Sequence, residues 1–71
     1  MSALLTNEEK ITIIDQHIKS INYSLYGFEL ELKEAQAISN PDSEVIASIN
    51  LRISDHVAKI SALNEELATL Q

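Results

Sequence analysis

Apolar residues recur along the first half of the chain in alternating steps of three and four. The series is Ile11, Ile14, Ile18, Ile21, Leu25, Phe28, Leu32 and Ala35. That spacing is an uninterrupted heptad seam on an α-helix. Ile11, Ile18, Leu25 and Leu32 take the a positions; Ile14, Ile21, Phe28 and Ala35 take d. The flanking positions are polar: Asp15, Asn22, Glu29 and Gln36 at e, and Lys10, His17, Ser24 and Glu31 at g. Upstream, Thr6-Asn7-Glu8-Glu9 has the form of a capping box, with Thr6 reaching forward and Glu9 reaching back. The pattern predicts a first helix over about 6–38. Leu4 would extend its seam, although Asn7 occupies the intervening d position.

The pattern stops at Ser39-Asn40-Pro41-Asp42. Pro41 has no backbone N–H and clashes with the preceding turn, so a helix cannot run through it. It also disfavours the α conformation at Asn40. Proline suits the first turn of a new helix, which makes Asn40 or Ser39 the expected N-cap. Asp42 and Glu44 place negative charge where the helix dipole favours it. The expected turn is 39–42, followed by a second helix over about 42–70. Its seam restarts at Ile46, Ile49 and Ile53 and continues through His56, Ile60, Leu63, Leu67 and Leu70. Only His56 breaks the apolar rule.

If the chain doubles back antiparallel at the proline, the two seams meet residue for residue. Ala35 falls opposite Ile46, Leu32 opposite Ile49, Phe28 opposite Ile53 and Leu25 opposite His56. Ile21 then meets Ile60, Ile18 meets Leu63, Ile14 meets Leu67 and Ile11 meets Leu70. Each pair joins an a to a d position. A slip of one heptad would preserve the periodicity, but only this register puts the fold between Asn40 and Pro41. It also sets Glu31 near Arg52 and His17 near Glu66. The predicted fold is all-α: an antiparallel two-helix coiled-coil hairpin, one domain spanning 1–71.

Two helices bury one seam, and apolar residues remain outside it. Tyr23, Tyr26 and Leu30 stand on the first helix; Ala47, Leu51, Ser54, Ala58, Ser61 and Ala68 form a second, mostly small-residue stripe on the second. Val57 lies between that stripe and the seam. Both groups fall on the same side of the hairpin, strongest in the half nearest the turn. A homodimer closing into a four-helix bundle covers such a face most simply. The candidate interaction residues are therefore Tyr23, Tyr26, Leu30, Leu51, Ser54, Val57 and Ala58.

Composition sharpens this picture. At 71 residues the chain rarely builds a sufficient core alone, and with no cysteine neither a disulfide framework nor a thiolate metal site is open to it. A partner chain or very regular helix packing is left. The net charge of −6, without a basic run, argues against nucleic acid. No apolar run approaches the ~20 residues of a membrane span. The first six residues lack the basic region and long apolar core of a signal peptide, so the expected location is the cytoplasm.

Candidate chemistry is sparse. His17 and His56, the only histidines, lie roughly 13 Å apart along the hairpin axis at 1.5 Å per residue. That is too far to share an ion, so no metal or other cofactor is expected. His56 within the seam reads in two ways: as a layer that charges in the physiological range, or as a polar residue that fixes register at some cost in stability. Glu8/Glu9, Glu29/Glu31 and Glu65/Glu66 lie on solvent faces with no cleft around them, and no phosphate loop or nucleophile constellation is present. The expectation is a non-enzymatic protein. Gly27, inside the first helix, marks either a close approach of another backbone or a tolerated weak point.

Three segments carry a resemblance: Leu5-Thr-Asn-Glu-Glu-Lys-Ile, Asn40-Pro-Asp-Ser-Glu-Val-Ile, and a closing Ile-Ser-Asp…Ile-Ser-Ala-Leu-Asn-Glu-Glu-Leu. Together they resemble small uncharacterised proteins of T4-like tailed phages of marine bacteria, over nearly the whole chain. The resemblance implies a viral gene product located in the virion or the host cytoplasm, and no active site comes with it. The expected role is a self-associating structural or assembly module; the alternative is an adaptor or inhibitor that binds a host protein through the exposed apolar patch.

Overall fold

A computed structural model describes residues 4–71; the start of the stretch read for a targeting signal, residues 1–3, lies outside them. The described residues form two helices, α1 (Asn7–Ala37) and α2 (Ser43–Thr69), packed along each other as a hairpin. The result is a flat rod of 54 × 19 × 15 Å.

The ends of the helices are built as local chemistry dictates. Thr6 is the N-cap of α1: its Oγ1 accepts from the Glu9 N–H at 3.1 Å, and its own N–H donates to Glu9 Oε1 at 2.8 Å. That reciprocal capping box satisfies two otherwise orphaned donors. These bonds favour the ionised Glu9 carboxylate and hold it below the usual glutamate range, the backbone donor of Thr6 contributing most. Leu4, read as a seam extension, precedes this cap and is 88% exposed. At the other end Ile38 turns extended (φ −76°, ψ 161°) and closes α1.

The second cap differs from the expected one. The N-cap of α2 is Asp42, not Asn40 or Ser39, and Pro41 stands just before the cap rather than inside the first turn. Asp42 Oδ1 accepts from the N–H groups of Glu44 (2.9 Å) and Val45 (3.4 Å), while its carbonyl accepts from Ile46 at 3.0 Å. An ionised carboxylate is a stronger acceptor than the amide of Asn40, and it also meets the positive end of the helix dipole.

Every seam position from Ile11 to Ala35 and from Ile46 to Leu70 is buried or half-buried, His56 included. Among the described residues outside the seam, only Lys10 and Gly27 are as well covered. The register is visible at Phe28. Its ring meets His56 edge-on and lies beneath the Arg52 guanidinium, whose carbon stands 5.7 Å from the centroid. Arg52 and His56 are one turn apart, with Ile53 between them, so Phe28 lies beside the α2 turn that contains Ile53. Arg52, expected beside Glu31, is thus engaged with the aromatic face, a contribution of about 0.5–1 kcal/mol at an exposed site.

The core is thin. Among the described residues only Ile14 and Ile49 are buried, at 9% and 8% exposure, and no side chain is fully enclosed. The accessible surface is 5431 Å². A folded chain of 7.9 kDa ordinarily exposes about 4,400 Å², so the hairpin exposes about 1,000 Å² more than a compact protein of its mass.

Candidate functional site

Several large apolar side chains stand exposed on the rod. Of the residues singled out from the sequence, Tyr23 is 72% exposed, Tyr26 62%, Leu30 40%, Leu51 63% and Val57 52%; Ser54 and Ala58 are exposed as well. In the seam register, residues 23–30 of α1 lie level with 51–58 of α2. The structure therefore gathers these residues into one belt across both helices, in the half of the rod nearer the turn. Val57 takes an e position beside the seam, Tyr26 and Ser54 the adjoining b positions, and Tyr23, Leu30, Leu51 and Ala58 the outermost f positions. In an antiparallel pair the e flank of one helix adjoins the e flank of the other, so Tyr26, Ser54 and Val57 share one side of the hairpin, with Tyr23 and Leu30 at one outer edge of that side and Leu51 and Ala58 at the other. Around Tyr23 and Tyr26 the surface is concave, walled by Lys19 and Asn22.

A second apolar concavity opens at the far end of the rod. Leu5, Ile13 and Ile14 form its floor, and Lys10 and Glu66 stand at its edge. Sequence reading missed this feature. Leu5 lies outside the helix, and Ile13 takes a c position, where one exposed apolar residue is unremarkable.

His56 is held in a defined way. Its Nδ1 lies 2.8 Å from the Arg52 carbonyl oxygen. A carbonyl only accepts, so Nδ1 carries the proton. The rest of the ring packs edge-on against Phe28, with centroids 5.0 Å apart. The polar residue in the seam is thereby satisfied by its own helix, and among the described residues no buried side-chain nitrogen or oxygen lacks a partner.

Gly27 leaves open space: a Cβ built there meets nothing within 4 Å. No backbone of the hairpin approaches it. Among the described residues, no three His, Cys, Asp or Glu side chains converge as a metal site would need, and no helix is long and apolar enough to cross a membrane.

Comparison with protein-family models, curated proteins and solved structures finds no match to this chain.

Proposed function

We propose that this chain is a non-enzymatic assembly module, a helical hairpin that associates with further copies of itself through the belt around Tyr26 and Val57. One observation carries this reading. Large apolar side chains stand exposed together on a rod whose own seam encloses only Ile14 and Ile49. By the surface scaling of folded chains, the hairpin removes about half of its unfolded surface from water, short of the roughly 60% usual for so small a domain. A second copy supplies the missing burial. The resemblance to small proteins of T4-like phages supports a viral origin, with the module acting in the virion or in the host cytoplasm.

The test is a charge placed in the belt. A Val57→Asp variant should sediment as a monomer under conditions where the parent chain is larger, while its helical circular dichroism is retained at low temperature. An unchanged assembly in that variant would remove the belt from the interface.

A second reading has its own support. Tyr23, with the concavity it shares with Lys19 and Asn22, lies toward the outer edge of the belt, where aromatic anchors suit another protein. On this reading the hairpin is an adaptor or inhibitor of a host protein. A Tyr23→Ala variant that loses one stoichiometric host partner while keeping its own assembly state would favour it.

A further inference from the structure

We infer that the second copy lies face to face with the first, α1 against α1 and α2 against α2, each pair antiparallel about one two-fold axis level with Ser24 and Val57. This rests on the self-association reading and specifies its geometry.

The charges on α1 carry the inference. Its e and b positions present Asp15, Lys19, Asn22, Tyr26, Glu29 and Lys33, all exposed. The two acids and two bases leave this flank neutral on a chain whose net charge is −6. Laid antiparallel against itself about Ser24, the flank is self-complementary. Lys19 meets Glu29 of the second copy, Asp15 meets Lys33, and Asn22 meets Tyr26. The two-fold repeats each pair. Lys19 and Glu29 of one chain are about 15 Å apart at 1.5 Å per residue, so they cannot satisfy each other within α1.

The α2 flank independently points to the same level. Its e and b positions from Ala47 to Ala68 bear no charge and are all exposed. They read the same in both directions about Val57: Ser54 mirrors Ser61, Asn50 mirrors Asn64, and Ala47 mirrors Ala68. Antiparallel packing about Val57 sets like against like, with small side chains that allow close approach. In the hairpin register Leu25 faces His56, so Ser24 lies level with Val57. One axis therefore serves both helices.

The alternative axis, along the rod, would lay α1 on α2. Lys19 would then face Ser61, and Glu29 would face Asn50, leaving the α1 charges no partner across the interface and only their i,i+4 neighbours on the same helix, Asp15 with Lys19 and Glu29 with Lys33. The opposite side of the hairpin, with Arg52, Asp55, Lys59 and Glu66 on α2, is charged as a water-facing surface is; interface centres are depleted in charge. The footprint is sufficient as well. A 54 × 19 Å face covers on the order of 1,000 Å² per copy, against the roughly 800 Å² per partner of a standard interface. The charge pairs select orientation more than they add affinity.

The chain has no native cysteine, so single thiols report the geometry. A Val57→Cys variant should be linked to itself by a short bis-maleimide, and a mixture of Tyr26→Cys and Val57→Cys chains should form no mixed product. In parallel, Lys19→Glu should weaken dimerisation on the order of tenfold, as the replacement of attraction by repulsion at two symmetric pairs implies, and Lys19→Glu combined with Glu29→Lys should restore it. A mixed Tyr26–Val57 product, or a double variant no better than Lys19→Glu alone, overturns this arrangement and leaves self-association standing. A parent chain that stays monomeric overturns both.

Discussion

Phe28 and His56 meet ring to ring across the seam, with centroids 5.0 Å apart and planes inclined at 67°. Helical side chains lean toward the N-terminus of their own helix. In an antiparallel pair those directions oppose, so His56 leans toward the turn and Phe28 away from it, and the two rings converge. The contact joins the one polar seam residue to the one seam aromatic. Phe28→Ala removes both this edge contact and the surface under Arg52, and should destabilise the hairpin by about 2 kcal/mol, below the 3–5 of a fully buried ring, as read by urea unfolding.

The same geometry defines what His56 costs. A leucine at this position would complete the apolar seam but lose the tie to the Arg52 carbonyl. His56→Leu should stabilise the protein by about 1 kcal/mol, the register-fixing polar layer being replaced by apolar burial. For a chain of this size that is a rise in Tm of about 4–8 °C. A fall in Tm would mean that the imidazole contributes more than its hydrogen bond and ring contact account for.

Gly27 offers a substitution with a clear sign. It is interior to α1 and a Cβ would enter open space. Gly27→Ala should therefore gain about 1 kcal/mol of helix stability. Its c position lies on the charged side of the rod, so dimer affinity should be unchanged; sedimentation of the variant checks this.

The capping box makes one end of the molecule sensitive to acid. Glu9 is held below the usual glutamate range by the Thr6 donors. A carboxyl depressed in the folded state adds stability that is fully present above its unfolded value and is lost as pH falls through the folded one. Fraying at the start of α1 should thus grow on acidification below the ordinary glutamate range, seen as a loss of amide protection at Glu9 and Lys10 relative to the intrinsic exchange rate at each pH. Glu9→Gln should flatten that dependence. Asp42→Ala, which removes the acceptor for two N–H groups at the start of α2, should cost about 1 kcal/mol at neutral pH.

Much of the fold was legible in the sequence because the seam obeys a single period. Steps of three and four from Ile11 to Ala35 and from Ile46 to Leu70 leave one helical face to bury, and Pro41 leaves one place to turn. The parts that were not legible depend on finer choices. Proline permits a cap on either side of it, and only the two N–H groups gathered by Asp42 decide between them. Register sets His56 level with Leu25 but does not give the lean of its ring, which meets Phe28 one turn nearer the chain reversal. The space around Gly27 is a property of the packed helices and leaves no trace in residue order. The belt was legible as residues left over from the seam; the concavity lined by Leu5 and Ile13 was not, since Leu5 joins it from outside the helix.

Sedimentation equilibrium of the unmodified chain, over a wide concentration range at moderate salt, decides whether the hairpin pairs with itself. A reversible transition from the 7.9 kDa monomer to a species of twice that mass is expected. A single 7.9 kDa species that persists at the highest concentration would contradict it.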